Sequence, residues 1–124
     1  MLTPIFLIQL IIAFGIYNVW LLRINKPTNW RGGKAQNMEQ EFHVYGLSTA
    51  VMNIVRVLKL SAATCLVAGL WDPPFALVGS FVMAGLMLAA VAMHVKVKDP
   101  IQKALPAASL FILSLIVVAV HVRP

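Results

Sequence analysis

The chain has 124 residues, 60% of them hydrophobic and only 11% charged, and a net charge of +6. An ordinary soluble domain runs at roughly 45 to 50% apolar and about 25% charged, so this composition, with a mean hydropathy of +0.87, excludes a soluble core. At this length there is also no room for a separate soluble domain. The single cysteine, Cys65, excludes an intramolecular disulfide and CxxC thiol chemistry.

Apolar runs of about 20 residues cross a hydrocarbon core of roughly 30 Å as helices, and four are predicted, over residues 2–22, 47–70, 75–95 and 104–122. None alternates polar with apolar residues, which excludes a lipid-facing β-barrel. The expected fold is therefore all-α: an integral membrane four-helix antiparallel bundle, a single transmembrane domain over 1–124. The first run lacks a basic n-region and a small-x-small site before Arg23, so it is expected to be a mature span rather than a signal peptide. It carries one polar residue at depth, Asn18. A polar loop follows, RINKPTNWRGGKAQNMEQEFH, in which Gly32 and Gly33 permit a tight turn.

The second run carries Arg56 and Lys59. It ends at the turn WDPP, whose Pro73 and Pro74 stop that helix and open the third. The third run leads into the short basic loop KVKDPIQK, where Asp99 before Pro100 is placed to cap the fourth helix. Loops 23–46 and 96–103 hold seven Lys and Arg residues against Arg123 alone on the opposite side. Positive charge in short loops marks the cytoplasmic side, so both termini are expected outside, in a bacterial inner membrane. Trp20, Trp30, Tyr45 and Trp71 fall where interfacial aromatic anchors belong. The net positive charge is mostly this loop asymmetry facing anionic lipid, and no nucleic-acid partner is read into it.

Arg56 and Lys59 raise the main chemical question. A cation near the middle of a span costs about 2.5 to 3.5 kcal/mol even on insertion scales, so both are expected to face protein. Thr49, Met52, Asn53, Arg56, Lys59 and Ala63 recur at spacings of three or four and define one stripe. All four acids, Glu39, Glu41, Asp72 and Asp99, lie outside the spans. Asp72 is about 20 Å from Lys59 along a helix, too far for contact. The expectation is a first loop that dips into the bundle mouth and brings Glu41 to Arg56, leaving Lys59 to water or to an anionic or carbonyl-bearing guest. The plainer alternative is that both cations only fix helix packing.

Asn18, Glu41, Tyr45, Asn53, Arg56, Lys59 and His94 are thus the candidate ligand-binding residues, with His94 a hydrogen-bond or proton partner for the loop. His43 and His94 stand at one level, but no i, i+4 histidine pair or carboxylate cluster accompanies them, so neither metal nor haem is expected. No catalytic residues are expected, because no phosphate loop, nucleophile elbow or paired carboxylates can be found. Ser61, Cys65 and Gly69, Gly85 with Ala89, and Ala104 with Ala108 form small-xxx-small ridges suited to close helix approach within the bundle or in a homo-oligomer.

Several segments together resemble one family: FGIYNVWLLRINKPTNWRGGKAQNMEQEFHVYGL, VLKLSAATCLVAGLW and LMLAAVAMHVKVKDPIQKALPA. Trp30, Arg31, Gly32 and Gly33, Glu41 with Phe42, Tyr45 to Leu47, Lys59, His94, Asp99, Pro100 and Leu105 to Ala107 are similar to the pattern of the DoxX-like family of small four-span membrane proteins. The resemblance covers nearly the whole chain. Arg56 departs from it, standing where that pattern has a small or apolar residue, so an Arg56–Glu41 pair would be particular to this chain. DoxX is named for a small subunit associated with quinol oxidation, and the wider superfamily includes membrane chaperones such as the acetylcholine-receptor assembly factor. The resemblance therefore implies a non-enzymatic membrane component that binds a lipid-soluble ligand, such as a quinone, or accompanies a membrane redox complex. The alternative it implies is an assembly module for a client membrane protein.

Overall fold

The computed structural model describes residues 3–27 and 31–122. Over those residues the chain is helical, without strands: α1 (Thr3–Tyr17), α2 (Met38–Val44), α3 (Thr49–Ala68), α4 (Pro73–Lys96) and α5 (Ile101–Val122). A π-helical turn, Asn18–Leu22, continues α1. Four stretches are long and apolar enough to cross a membrane: Pro4–Leu22, Thr49–Ala68, Pro73–Lys96 and Ile101–Val122. They match the four predicted spans to within a few residues.

The starts of the third and fourth spans shifted with proline, while the second is trimmed by its Ser48 cap and by Gly69. Pro73 and Pro74 occupy the first positions of α4, where a missing N–H costs nothing. The fourth helix starts at Ile101, directly after Pro100, and tolerates Pro106 in its second turn at the loss of one backbone hydrogen bond.

In the bundle α4 lies between α3 and α5, while α1 packs along α3 and meets α5 more loosely. Small residues set the α3–α4 approach. A methyl group on Gly79 would lie 2.8 Å from the Ala62 carbonyl oxygen and 2.9 Å from Cys65 Cβ, and one on Gly69 would meet the backbone of Ala76. The Cys65–Gly69 part of the predicted ridge is therefore used within the bundle. Ser61, Gly85 and Ala89 are exposed, and nothing lies within 4 Å of a methyl placed on Gly85. Between α1 and α3 the buried Gln9 donates through Nε2 to the Leu66 carbonyl at 2.9 Å, a clamp away from any charge.

The end of the bundle that carries both basic loops is built differently. Within the first loop, expected as a polar connection with a tight turn, Met38–Val44 form the helix α2. Asn37 caps it by accepting from the Gln40 N–H at 2.8 Å, and Gln40 Oε1 reaches back to the Gln36 N–H at 2.8 Å, a reciprocal arrangement close to a capping box. Met38, Phe42 and Tyr45 recur on one helical face and are buried, while Glu39, Gln40, His43 and Val44 are exposed. Burying that face turns the loop inward across the bundle mouth.

Candidate functional site

A cavity of about 910 Å³ opens within the bundle under α2. Its wall is mostly apolar, with Ile11 and Ile16 from α1, Val51 and Val55 from α3, and Leu110 and Leu113 from α5. Asn18, Arg31, Glu41, Tyr45, Lys59 and His94 bring polar atoms to it. Five of the seven candidate ligand-binding residues, Asn18, Glu41, Tyr45, Lys59 and His94, are thus gathered at one place together with Arg31 of the loop motif.

Arg31 organises the loop. Its side chain is 3% exposed, and Nη1 lies 3.0 Å from Glu41 Oε2. It also donates to the carbonyls of Arg23, Ile24 and Lys26. A planar fork of five N–H donors suits such a task, and a lysine could not reproduce it. The turn that places Arg31 depends on its neighbours. Gly33 has φ +56°, and a methyl on Gly32 would sit 2.6 Å from the Tyr45 ring. Trp30, also part of the expected loop motif, lies outside the described residues.

Glu41 was expected to pair with Arg56, and this expectation is corrected. Glu41 is bound to Arg31 on one oxygen and, on the other, accepts from Tyr45 Oη at 2.6 Å. Arg56 is half-buried, does not line the cavity and makes no ion pair among the described residues. Helical rotation explains the failure. At about 100° per residue Arg56 stands about 60° round from Lys59, and Asn53 about 120° round. Asn53 is accordingly exposed and away from the cavity. The inward face of α3 is Met52, Lys59, Ala63 and Leu66.

Lys59 is 9% exposed, and its Nζ sits 4.9 Å from the centre of the Trp20 ring. It makes no hydrogen bond or salt bridge to any described residue. Trp20 was expected at the interface as an anchor; it is instead 2% exposed and packs edge-on against Phe42 at 5.9 Å. The π-helical turn places it there, closed by the Arg23 N–H donating to the Asn18 carbonyl; such turns recur at functional sites. Asn18 itself is exposed at the cavity rim. Tyr45 is also a core residue rather than an anchor, whereas Trp71 is 80% exposed as an anchor should be.

From Tyr45 the polar chain continues to α4 and α5. Tyr45 Oη lies 3.4 Å from His94 Nε2, and His94 Nδ1 lies 2.8 Å from Asp99 Oδ2. Because a carboxylate only accepts, Nδ1 carries the proton toward Asp99. With the Tyr45 hydroxyl donating to Glu41, a hydrogen bond at the Tyr45–His94 contact needs a proton on Nε2 as well. Asp99, placed by sequence to cap the fourth helix, spends its other oxygen on the Gly33 N–H at 3.0 Å. Lys103 Nζ donates to the Gly33 carbonyl and stands 4.0 Å from Asp99. Loop one, α4 and α5 are thereby tied together.

The electrostatics follow from these contacts. Burial alone would raise the Asp99 pKa, but the bonds from His94 and Gly33 and the charges of Lys103 and His94 bring it below the ordinary carboxylate value. Burial first, and then the Glu41 carboxylate, push the Tyr45 phenol well above its ordinary value. Sequence reasoning missed Arg31 as the partner of Glu41, Trp20 beneath Lys59, and Asp99 as the link between His94 and Gly33. The Asn37-x-x-Gln40 spacing was the available signal for α2, and with it for the direction the loop takes.

The sequence profile of the DoxX-like family matches residues 31–119. Neither a curated protein nor a solved structure matches the chain. The family match takes in well over half of the chain, from Arg31 of the loop turn through Lys59, His94 and Asp99 to the last turns of α5, and four of the helices are fit to cross a membrane. The chain is an integral membrane protein of the DoxX-like family.

Proposed function

We propose that this protein is a binding component of the membrane, without a catalytic step of its own, and that it holds a lipid-soluble guest in the cavity beneath α2. The observation that carries this reading is the state of Lys59. Its ammonium is buried at the cavity wall, with the Trp20 face on one side and no described acid bound to it, because the nearby carboxylate of Glu41 is engaged by Arg31. Removing one partner from a buried charge pair typically costs about 3 to 5 kcal/mol, so an unneutralised ammonium in this position favours any guest that supplies an acceptor. The cavity fits the task in size, since small-molecule sites span roughly 300 to 1,000 Å³, and in its apolar lining with a few convergent polar groups.

A neutral carbonyl head such as a quinone's and an anionic head both answer the chemistry. In the same reading the basic loops face the cytoplasm of a bacterial inner membrane, with both termini outside, and the guest is taken from lipid alone or beside a membrane redox complex.

Native mass spectrometry of the protein released from mild detergent tests the proposal. One guest mass per chain is expected, displaced when Ala107, half-buried on the cavity wall, is enlarged to Phe. A guest-free wild type, or a guest unaffected by Ala107→Phe in a folded variant, would overturn it.

A further inference from the structure

We infer that the guest is an amphiphile with a singly charged anionic head, admitted sideways from the lipid between α1 and α5; this rests on the guest-binding reading above. Charge bookkeeping selects the head. Arg31 lines the cavity, but its charge is matched by Glu41 at 3.0 Å. Lys103 is committed to the Gly33 carbonyl and stands 4.0 Å from Asp99. Arg23 lines the cavity but is exposed at its rim, and Arg56 is off the cavity wall, so Lys59 remains as the one buried cation on that wall without an acid among the described residues. One anionic charge neutralises it. A doubly charged phosphate monoester would leave an excess negative charge in a desolvated site, and a neutral head would leave the ammonium uncompensated. The Trp20 ring complements the cation without cancelling its charge.

The route follows from packing. The α1–α5 seam is looser than the α1–α3, α3–α4 and α4–α5 contacts, and cavity-lining residues on both its sides are exposed, Ile11 on α1, Val19 in the π-helical turn that continues it, and Pro106 and Ser109 on α5. No polar backbone has to open, since both walls are helical. Arg23, exposed at the rim and facing the cavity from the basic end, draws an anionic head toward the mouth. The tail then lies along Val55, Leu110 and Leu113.

The test uses two probes that differ only in head charge, cis-parinaric acid and its methyl ester, titrated at about pH 7 into detergent-solubilised protein and corrected for partition into protein-free micelles. The acid is expected to bind at least about tenfold more tightly than the ester, a difference of about 1.4 kcal/mol. That preference should vanish in Lys59→Met and persist in Lys59→Arg, which keeps the charge if the methionine variant does not fold. Equal binding of acid and ester by the wild type overturns the anionic head while leaving a guest site in place. A preference that survives in folded Lys59→Met overturns the role of Lys59. Failure of both probes to bind removes the guest site itself.

Discussion

At the basic end of the bundle, Arg31, Glu41, Tyr45, His94 and Asp99 form a continuous run of charged and polar contacts between the first loop, α4 and α5. At the opposite end α3 and α4 meet through Gly69, Ala76 and Gly79, with no charge involved. Both arrangements solve the problem of a protein whose surroundings are as apolar as its core. Lipid offers little hydrophobic drive for helix association, so one end uses geometry, backbone against backbone, and the other uses directed hydrogen bonds that also close a cavity. The first depends on the absence of side-chain atoms and tolerates no additions. The second depends on partners and tolerates no removals.

The sharpest way to break the comparison is at Arg31. Arg31→Ala leaves Glu41 as a nearly buried carboxylate without its cation and several loop carbonyls without a donor, for an expected loss of about 3 to 5 kcal/mol in detergent unfolding measurements. Arg31→Lys should recover only part of that loss, because a point charge cannot serve all these acceptors. At the opposite end Gly79→Ala forces a methyl against the Ala62 carbonyl and should cost about 1 to 3 kcal/mol. Gly85→Ala, where space is open, should be neutral or gain about 0.5 to 1 kcal/mol of helix propensity. The same unfolding assay reads both substitutions, and equal effects would contradict the assigned packing.

Titration probes the basic end alone. The folded Asp99 carboxyl sits below its unfolded value, so its contribution is complete above about pH 4 and disappears as the pH falls through the lower, folded value. Midpoints of thermal unfolding taken downward from about pH 6 should decline more steeply in the wild type than in Asp99→Asn, which itself begins about 2 kcal/mol less stable. Tyr45 works in the other direction. Its raised pKa supports the fold below the ordinary phenol value of about 10, and that support fades as the pH climbs beyond it. Tyr45→Phe should therefore flatten the alkaline decline in the same assay. The smallest change is expected at Asn53→Ala, exposed and outside the cavity, which should stay within about 0.5 kcal/mol of wild type.

The spans could be read from sequence because twenty apolar residues in a row have few other fates, and Pro73, Pro74 and Pro100 marked where helices begin. Lys59 stood out for a related reason: a cation in such a run needs an explanation that local sequence does not contain. What could not be read was which acid goes to which cation. Arg31 and Glu41 are ten positions apart, yet their meeting depends on the left-handed turn at Gly33 and on the direction α2 takes, neither of which is a periodic signal. His94 and Asp99 are only five apart, but the bond from the Gly33 N–H to Asp99 spans 66 positions of the chain. Arg56 misled because spacings of three and four suggest a shared stripe, while a rotation of about 60° is enough to turn a side chain out of a narrow cavity.

A double-mutant cycle on Glu41 tests most directly whether that carboxylate is spent on Arg31 and Lys59 is left for a guest. Unfolding free energies in detergent for Arg31→Met, Lys59→Met and Glu41→Gln, singly and in the two pairs containing Glu41→Gln, yield the two coupling energies. The Arg31–Glu41 coupling is predicted to be clearly the larger, in keeping with their 3.0 Å contact. A Lys59–Glu41 coupling equal to it or greater would mean that the chain neutralises Lys59 from within, and the cavity would have no charge left to offer.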